Sequence, residues 1–186
     1  MITYKDEYQD YEIAITEVIR PQNHSIYSAV IGERWSADID IGKYYELMIT
    51  RTTVRHVILV ILNAGDLYNN ILIERDCLVI LLDGTVYEIC HKTGTLLGSY
   101  EIRGGWELFR IYRFDTGYVI HGETEIIKLN KEFNEEWSFS GRDIFVKPDN
   151  GVNFEIKNGR IGVVDFQGCF YILDKDGKCV HCSRRR

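Results

Sequence analysis

The chain has 186 residues, 45% of them hydrophobic and 27% charged, a composition ordinary for a globular protein and long enough to bury a core in a single domain. Its formal charge of −6 repels phosphate backbones and argues against nucleic acid as a partner. The longest apolar run, "VILVIL" at 57–62, is far short of the ~20 residues that span a bilayer, and "MITYKDEYQDYE" has no secretory-signal pattern, so a cytoplasmic protein away from membranes is expected.

The N-terminal stretch "YKDEYQDYE" (4–12) interleaves Tyr4, Tyr8 and Tyr11 with Asp6, Glu7 and Asp10. "YEIAITEVI" (11–19), "SIYSAVIGE" (25–33) and "RWSADIDIG" (34–42) follow, each rich in β-branched and aromatic residues and therefore predicted as strands. Pro21 and Asn23 mark the break after the first. Glu33, Trp35, Asp38 and Asp40 repeat the mixture of acid and aromatic. Residues 1–50 carry four Lys or Arg against nine Asp or Glu, giving −5. Tyr and Trp anchor interfaces, and an acidic field speeds encounter with a basic partner. These ten residues are the candidate partner-binding surface.

"KYYELMITRTTVRHVILVIL" (43–62) fits two patterns. Tyr44, Leu47 and Met48 would share a helical face, which allows one short helix, while the β-branched content from position 52 predicts a strand.

From residue 76 the chain repeats itself. "DCLVILLDGTVYEICHKTG" (76–94) and "NGRIGVVDFQGCFYILDKDG" (158–177) each contain an apolar run, a Gly turn, an alternating strand and a second turn. Asp-Gly between apolar runs is a hairpin signal, because both central residues of a type I′ turn need positive φ. A worn third copy, "TGYVIHGETEIIKLNKEFNEEW" (116–137), lies between them. Anchors at Tyr87 and Ile89, Ile127 and Leu129, Tyr171 and Leu173 place the copies 40 and 44 residues apart, with apolar Leu97 and Trp137 eight residues past the second anchor of the first two. A period near 40 built from strands is that of propeller blades and related β-arrays.

"DGTVYEICHKTG", "EEWSFSGRDIF" and "QGCFYILDKDGK" resemble the repeats of pyrroloquinoline-quinone-type (PQQ-like) and WD-type β-propellers over roughly residues 76–182. The resemblance implies a fold: an all-β antiparallel meander of short strands in a partial or small propeller-like array. It carries over no cofactor, since the adjacent Cys-Cys pair of the quinone enzymes is absent and no Trp follows Gly94. With two prolines and no Ser/Gly linker, the expected organisation is one domain over 1–186: irregular N-terminal strands to 75, about three meander units over 76–182, and a solvated "SRRR" tail.

Few motifs have a chemical look. Cys179-Val-His-Cys182 spaces two thiols as a zinc or exchange site does, but has no second Cys-x-x-Cys to complete it. Cys77 and Cys90 sit inside apolar patterns and read as small hydrophobes. "DKDGK" (174–178) reads as a β-turn, and the carboxylates of "ETE" (123–125) and "NEEW" (134–137) as exposed charge. No cofactor, metal or catalytic residue is therefore assigned. The expected function is non-catalytic protein binding. By composition the chain resembles the small acidic, Tyr-rich immunity proteins that bacteria make beside secreted toxins, which implies occlusion of a basic toxin such as a nuclease. The alternative is a propeller-like scaffold or small-ligand module.

Overall fold

Strands that are apolar at every position set the architecture. The structure, a computed structural model, describes residues 2–5, 11–23, 25–32, 43–51, 53–63, 67, 70–103, 108–146 and 153–184. Among these are seventeen strands and no α-helix, in one five-stranded and three four-stranded sheets. The chain divides into two compact units, residues 1–102 and 103–186.

In the first unit, sheet 1 comprises β1 (Ile2–Lys5), β2 (Tyr11–Val18), β3 (Ala29–Ile31), β4 (Lys43–Arg51) and β5 (Val54–Leu62), in the order β1-β2-β4-β5-β3. Its pairs are antiparallel except that of β3, which runs parallel to β5 with Ala29 opposite Ile58. Residues 43–51, where a short helix is one expectation of the sequence, are strand throughout. β2 and β5 pair with β4 on either side along nearly all of its length, and two hydrogen-bonded ladders outweigh a local helical spacing. Tyr45, Leu47 and Ile49 consequently join one core, while Tyr44 on the opposite face packs with Leu59 and Ile61. The predicted strand at 25–33 contracts to Ala29–Ile31. Asn23 Oδ1 accepts from the Ser25 N–H (2.9 Å) and the Ser25 hydroxyl (2.7 Å), an Asx turn that extends the break at Pro21. The strand predicted at 34–42 lies outside the described residues.

Sheet 2 completes this unit as a sequential meander of β6 (Ile71–Ile73), β7 (Cys77–Leu82), β8 (Thr85–Cys90) and β9 (Leu96–Glu101). Asp83 and Gly84, at φ 45° and 82°, make the hairpin turn that their sequence predicts. On one face, Leu78, Ile80, Leu82 and Ile89 share a core with Ile13, Ile15, Leu47, Ile49, Ile58 and Val60 of sheet 1. Burial of each such side chain contributes roughly 1.5–3 kcal/mol. Val79, Leu81 and Val86, on the other face, are buried as well. With neither face wet, "CLVILL" has no place for a polar residue.

In the second unit, sheet 3 is the meander β10 (Leu108–Phe114), β11 (Gly117–Gly122), β12 (Glu125–Leu129) and β13 (Glu135–Ser140). Sheet 4 is the meander β14 (Phe154–Lys157), β15 (Arg160–Val164), β16 (Cys169–Leu173) and β17 (Cys179–Arg184). Val119 and Ile126 of sheet 3 pack with Phe154, Ile161, Val163, Tyr171 and Leu173 of sheet 4, around Phe145 from the intervening connection.

The fold is all-β and built of antiparallel meanders, as the repeat implies. The anchors fall on β8, β12 and β16, the third strand of each meander. Each repeat is longer than the quoted phrases, because β6, β10 and β14 precede them and β9 and β17 follow the first and the last. One detail is corrected. The last strand of every meander carries a bulge at the same place, where the register shifts between Glu88 and Ile89, Lys128 and Leu129, and Ile172 and Leu173. The extra residue is Leu97, Glu136 or Val180, so the counterpart of Trp137 is Gly98 and not Leu97.

Adjacent sheets within a unit are joined by a second recurrent contact. Trp137 of β13 donates from Nε1 to the Lys175 carbonyl (2.9 Å) in the β16–β17 turn, and its ring lies where a Cβ on Gly177 would fall, 2.5 Å from Cδ2. In the first unit, His56 of β5 donates from Nε2 to the Lys92 carbonyl (3.0 Å) in the β8–β9 turn and lies 2.5 Å from a Cβ built on Gly94. Both glycines have positive φ. A ring donor thus sits on the carbonyl two residues before a left-handed glycine in each case. Gly177→Ala and Gly94→Ala combine a left-handed strain with a ring clash and should each cost about 2–4 kcal/mol in urea unfolding. Gly159→Ala, equally left-handed but with nothing within 4 Å of its Cβ, should cost only about 1–2 kcal/mol.

Candidate functional site

The β7–β8 hairpin and β9 leave a cleft of about 490 Å³ in the first unit, lined by Gly32, Asn63, Leu82, Asp83, Thr85, Tyr87, Ser99 and Glu101. Strand register explains the lining. Thr85 stands opposite Glu101 and Tyr87 opposite Ser99, and Leu82 opposite Thr85. Partners across a ladder project to the same face, so four polar side chains stand in two rows where the buried face of sheet 2 runs out toward solvent. Leu82 and the half-buried Tyr87 belong to the core, which makes the floor rigid.

Asp83 takes its position from the turn. Its Oδ2 accepts from the Asn63 main-chain N–H (3.1 Å) and from the Asn63 side-chain amide (2.9 Å). Gly32, at φ 82°, forms part of the wall, where a Cβ would come within 1.9 Å of the Ile61 carbonyl oxygen. Two carboxylates, three hydroxyls and one amide therefore surround the cleft, and no Lys, Arg or His is among these lining residues. Such a set favours a cation that can also donate hydrogen bonds, as an ammonium or guanidinium does.

The predicted partner-binding residues are placed only in part. The backbones of Tyr4 and Tyr11 belong to β1 and β2, opposite Ile13 and Arg51 respectively; their side chains lie outside the described residues. Asp6, Glu7, Tyr8, Asp10, Glu33, Trp35, Asp38 and Asp40 lie outside them altogether. Cys179 and Cys182 are both on β17, opposite Leu173 and Tyr171. The bulge between them turns both toward one face and His181, opposite Ile172, toward the other. Cys179 Sγ donates to the His181 carbonyl (3.1 Å), and among the described residues no three His, Cys, Asp or Glu side chains converge as a metal site.

The carboxylates quoted from the sequence, and His91, make local contacts. Glu125 and Glu135 both pair with Arg103 (3.0 and 3.3 Å). Asp174 Oδ1 accepts from the Asp176 and Lys178 N–H groups, the β-turn predicted there. His91 donates from Nε2 to the Arg75 carbonyl (2.9 Å).

Sequence reasoning missed three buried groups. Lys128, 1% exposed, donates to the Leu129 carbonyl and to Glu136 (both 2.9 Å). Tyr171 donates to Asp165 Oδ2 (2.8 Å) and accepts from the Arg142 N–H (3.0 Å), while Asp165 Oδ1 accepts from the Cys169 N–H (2.8 Å). Burial holds the Tyr171 hydroxyl above its ordinary range, so it stays a donor. His121 stacks on Phe154 (4.9 Å) with Phe109 at its edge (5.6 Å) and donates to the Phe145 carbonyl (3.2 Å). Alternation puts Lys128 on the face opposite its neighbours Ile127 and Leu129, and it is inside only because both faces of β12 are covered; His121 shares that face through its pairing with Ile126.

No protein-family model matches the sequence, and no curated protein matches it. Among solved structures the chain is similar to BamB from Moraxella catarrhalis, with a TM-score of 0.53 and 12% identity over 92% of this chain and 52% of that one. It is also similar to the Pan2 WD40 domain of Neurospora crassa, with a TM-score of 0.52 and 11% identity over 78% and 47%. A third is BBS1N, solved in complex with ARL6DN, with a TM-score of 0.50 and 12% identity over 79% and 50%. The fold is propeller-like. At these identities the likeness is one of fold alone, and the chain spans about half the length of the structures it matches.

The aromatic cage around His121 has a consequence for acid stability. Burial pushes its imidazole from 6.5 down to about 4, against the opposing bond to Phe145. Above pH 6.5 the ring is neutral both folded and unfolded. As pH falls from 6.5 toward 4 the unfolded chain takes up a proton that the folded chain does not, so stability declines over that window by on the order of 3 kcal/mol. His121→Gln should flatten that part of a stability-versus-pH curve measured in urea. Tyr171→Phe, which strips partners from Asp165 and the Arg142 N–H, should cost about 1–3 kcal/mol.

Proposed function

We propose that this chain is a non-catalytic binding module of propeller-like fold, and that the cleft beside Asp83 and Glu101 receives a basic side chain of a protein partner. The observation that carries this reading is the lining: acceptors on two strands and a turn, two of them carboxylates, over the core residues Leu82 and Tyr87, with no basic side chain among the described residues that line it. A guanidinium entering such a cleft meets paired acceptors. The excess of acid over base in residues 1–50 adds a long-range field of the same sign, which raises the rate of encounter with a basic surface. BBS1N, a structure of similar fold, was solved with a protein partner, which supports a protein ligand in general terms.

The narrower form of the reading is an immunity protein that resides in the cytoplasm and occludes a basic toxin. Its support is composition: the charge of −6 and the twelve tyrosines.

Tetra-arginine, tetra-lysine and tetra-glutamate peptides titrated against the full chain provide the test. The basic peptides should bind saturably, weaken as salt rises, and shift the NMR signals of Thr85, Tyr87 and Ser99, while the acidic peptide should do none of these. Glu101→Lys should weaken basic-peptide binding by about tenfold or more, close to 1.4 kcal/mol. Glu132→Lys, on an exposed turn of the other unit, should change it little. Equal losses from both substitutions would reduce the effect to net charge and overturn the assignment of the cleft.

A further inference from the structure

Cys77 and Cys90 face each other across the open end of the β7–β8 hairpin, as direct register partners. The neighbouring hydrogen bonds show which kind of pair they form. The Cys77 carbonyl accepts from the Glu74 N–H (2.8 Å), on the β6 side. The Cys90 N–H donates to the Thr95 carbonyl (2.9 Å), and its own carbonyl accepts from the Gly94 N–H (2.8 Å), both on the β9 side. Each backbone is therefore occupied away from the other, the mark of a non-hydrogen-bonded antiparallel pair. In such pairs the Cα atoms are about 4.5 Å apart and both side chains leave the same face. A disulfide requires a Cα separation of roughly 4.4–6.8 Å, so this pair can be bridged without moving either strand.

The two thiols are also accessible and dissimilar. Both are half-buried. The Thr93 hydroxyl, with the backbone of Lys92 and Thr93, bonds to the Cys90 sulfur and lowers its pKa below the ordinary thiol value. Burial first, and then the Glu88 carboxylate, push Cys77 up to about 12. Cys90 is thus the better attacking thiol and Cys77 the slower, resolving one. No comparable pair exists among the other three cysteines, since Cys169, Cys179 and Cys182 stand opposite Arg184, Leu173 and Tyr171.

We propose that Cys77 and Cys90 form a dithiol site that a low-molecular-weight disulfide, such as oxidised glutathione, converts to a cross-strand disulfide tying β7 to β8. The Cys90 thiolate attacks one sulfur of the small disulfide, which forms a mixed disulfide and releases one small thiolate. Cys77, losing its proton, attacks the Cys90 sulfur and releases the second. Two protein thiols are oxidised, one small disulfide is reduced to two thiols, and the protons of the protein thiols pass to the departing thiolates. The reverse exchange restores the dithiol. The bond closes the hairpin at the end away from its Asp83-Gly84 turn.

Trypsin provides a direct readout, because residues 76–92 contain both cysteines with no internal Lys or Arg. The full chain is treated with oxidised glutathione, alkylated with iodoacetamide and digested. Peptide 76–92 should lose two hydrogens and take up no alkyl group, and a reductant applied before alkylation should reverse both changes. Cys77→Ser should instead accumulate one glutathione on Cys90, and Cys90→Ser should slow modification at Cys77 by about tenfold or more. Recovery of wild-type peptide 76–92 with both cysteines alkylated, under conditions that modify the exposed Cys182, would overturn the proposal. So would linkage of Cys90 to any cysteine other than Cys77. The wild-type measurement does not depend on either variant folding.

Discussion

A strand that is apolar at every position has no face to give to water. In β7 and β11 nearly every residue is buried, so both faces of the sheets that contain them must be covered. A single four-stranded meander cannot do that for itself. In each unit one sheet therefore covers another. Leu78 and Ile80 of sheet 2 lie in one core with Leu47, Ile49 and Ile58 of sheet 1, and in the second unit Val119 and Ile126 of sheet 3 do the same with Ile161 and Val163 of sheet 4. The pattern of polar residues follows from this arrangement. Side chains reach solvent on the outer strands β9 and β13, where exposed and half-buried positions alternate. Charges that do lie inside, such as Lys128 and Asp165, are hydrogen-bonded to specific partners, as low-dielectric surroundings require.

How much of this is legible in the sequence depends on the range of the signal. The Asp83-Gly84 turn and the period-two strands after it are local, and they identify β7, β8, β12, β15 and β16 together with the spacing of the repeat. The opening strand of each meander escapes that reading, although Asn158-Gly159, at φ 52° and 68°, is as clear a hairpin signal as Asp83-Gly84. "KYYELMIT" satisfies a helical and an extended pattern at once, and only pairing with β2 and β5, distant in sequence, decides between them. The correspondence between Leu97 and Trp137 fails for a related reason, since a bulge changes the count of residues without changing the ladder.

The cleft is almost wholly hidden in the sequence. Asp83 reads as part of a turn and Tyr87 as part of a core, both correctly, and neither reading suggests a binding surface. Ser99 and Glu101 acquire meaning only through the register that sets them beside Tyr87 and Thr85. Asn63 arrives from the end of another sheet. A site assembled across ladders has no linear motif, in contrast to a phosphate loop or a paired-cysteine metal site, where neighbours in sequence are also neighbours in space.

The bulge shared by β9, β13 and β17 bears on solubility. Among the described residues each of these strands ends its sheet with one side unpaired, and a row of open amides and carbonyls is a template on which a second chain can add. An inserted residue breaks the even spacing of that row and increases its local twist, so an incoming straight strand loses step after a few residues. Leu97 and Val180 can therefore remain exposed on an outer margin that resists fibrillar growth, a protection supplied by backbone irregularity and not by charge.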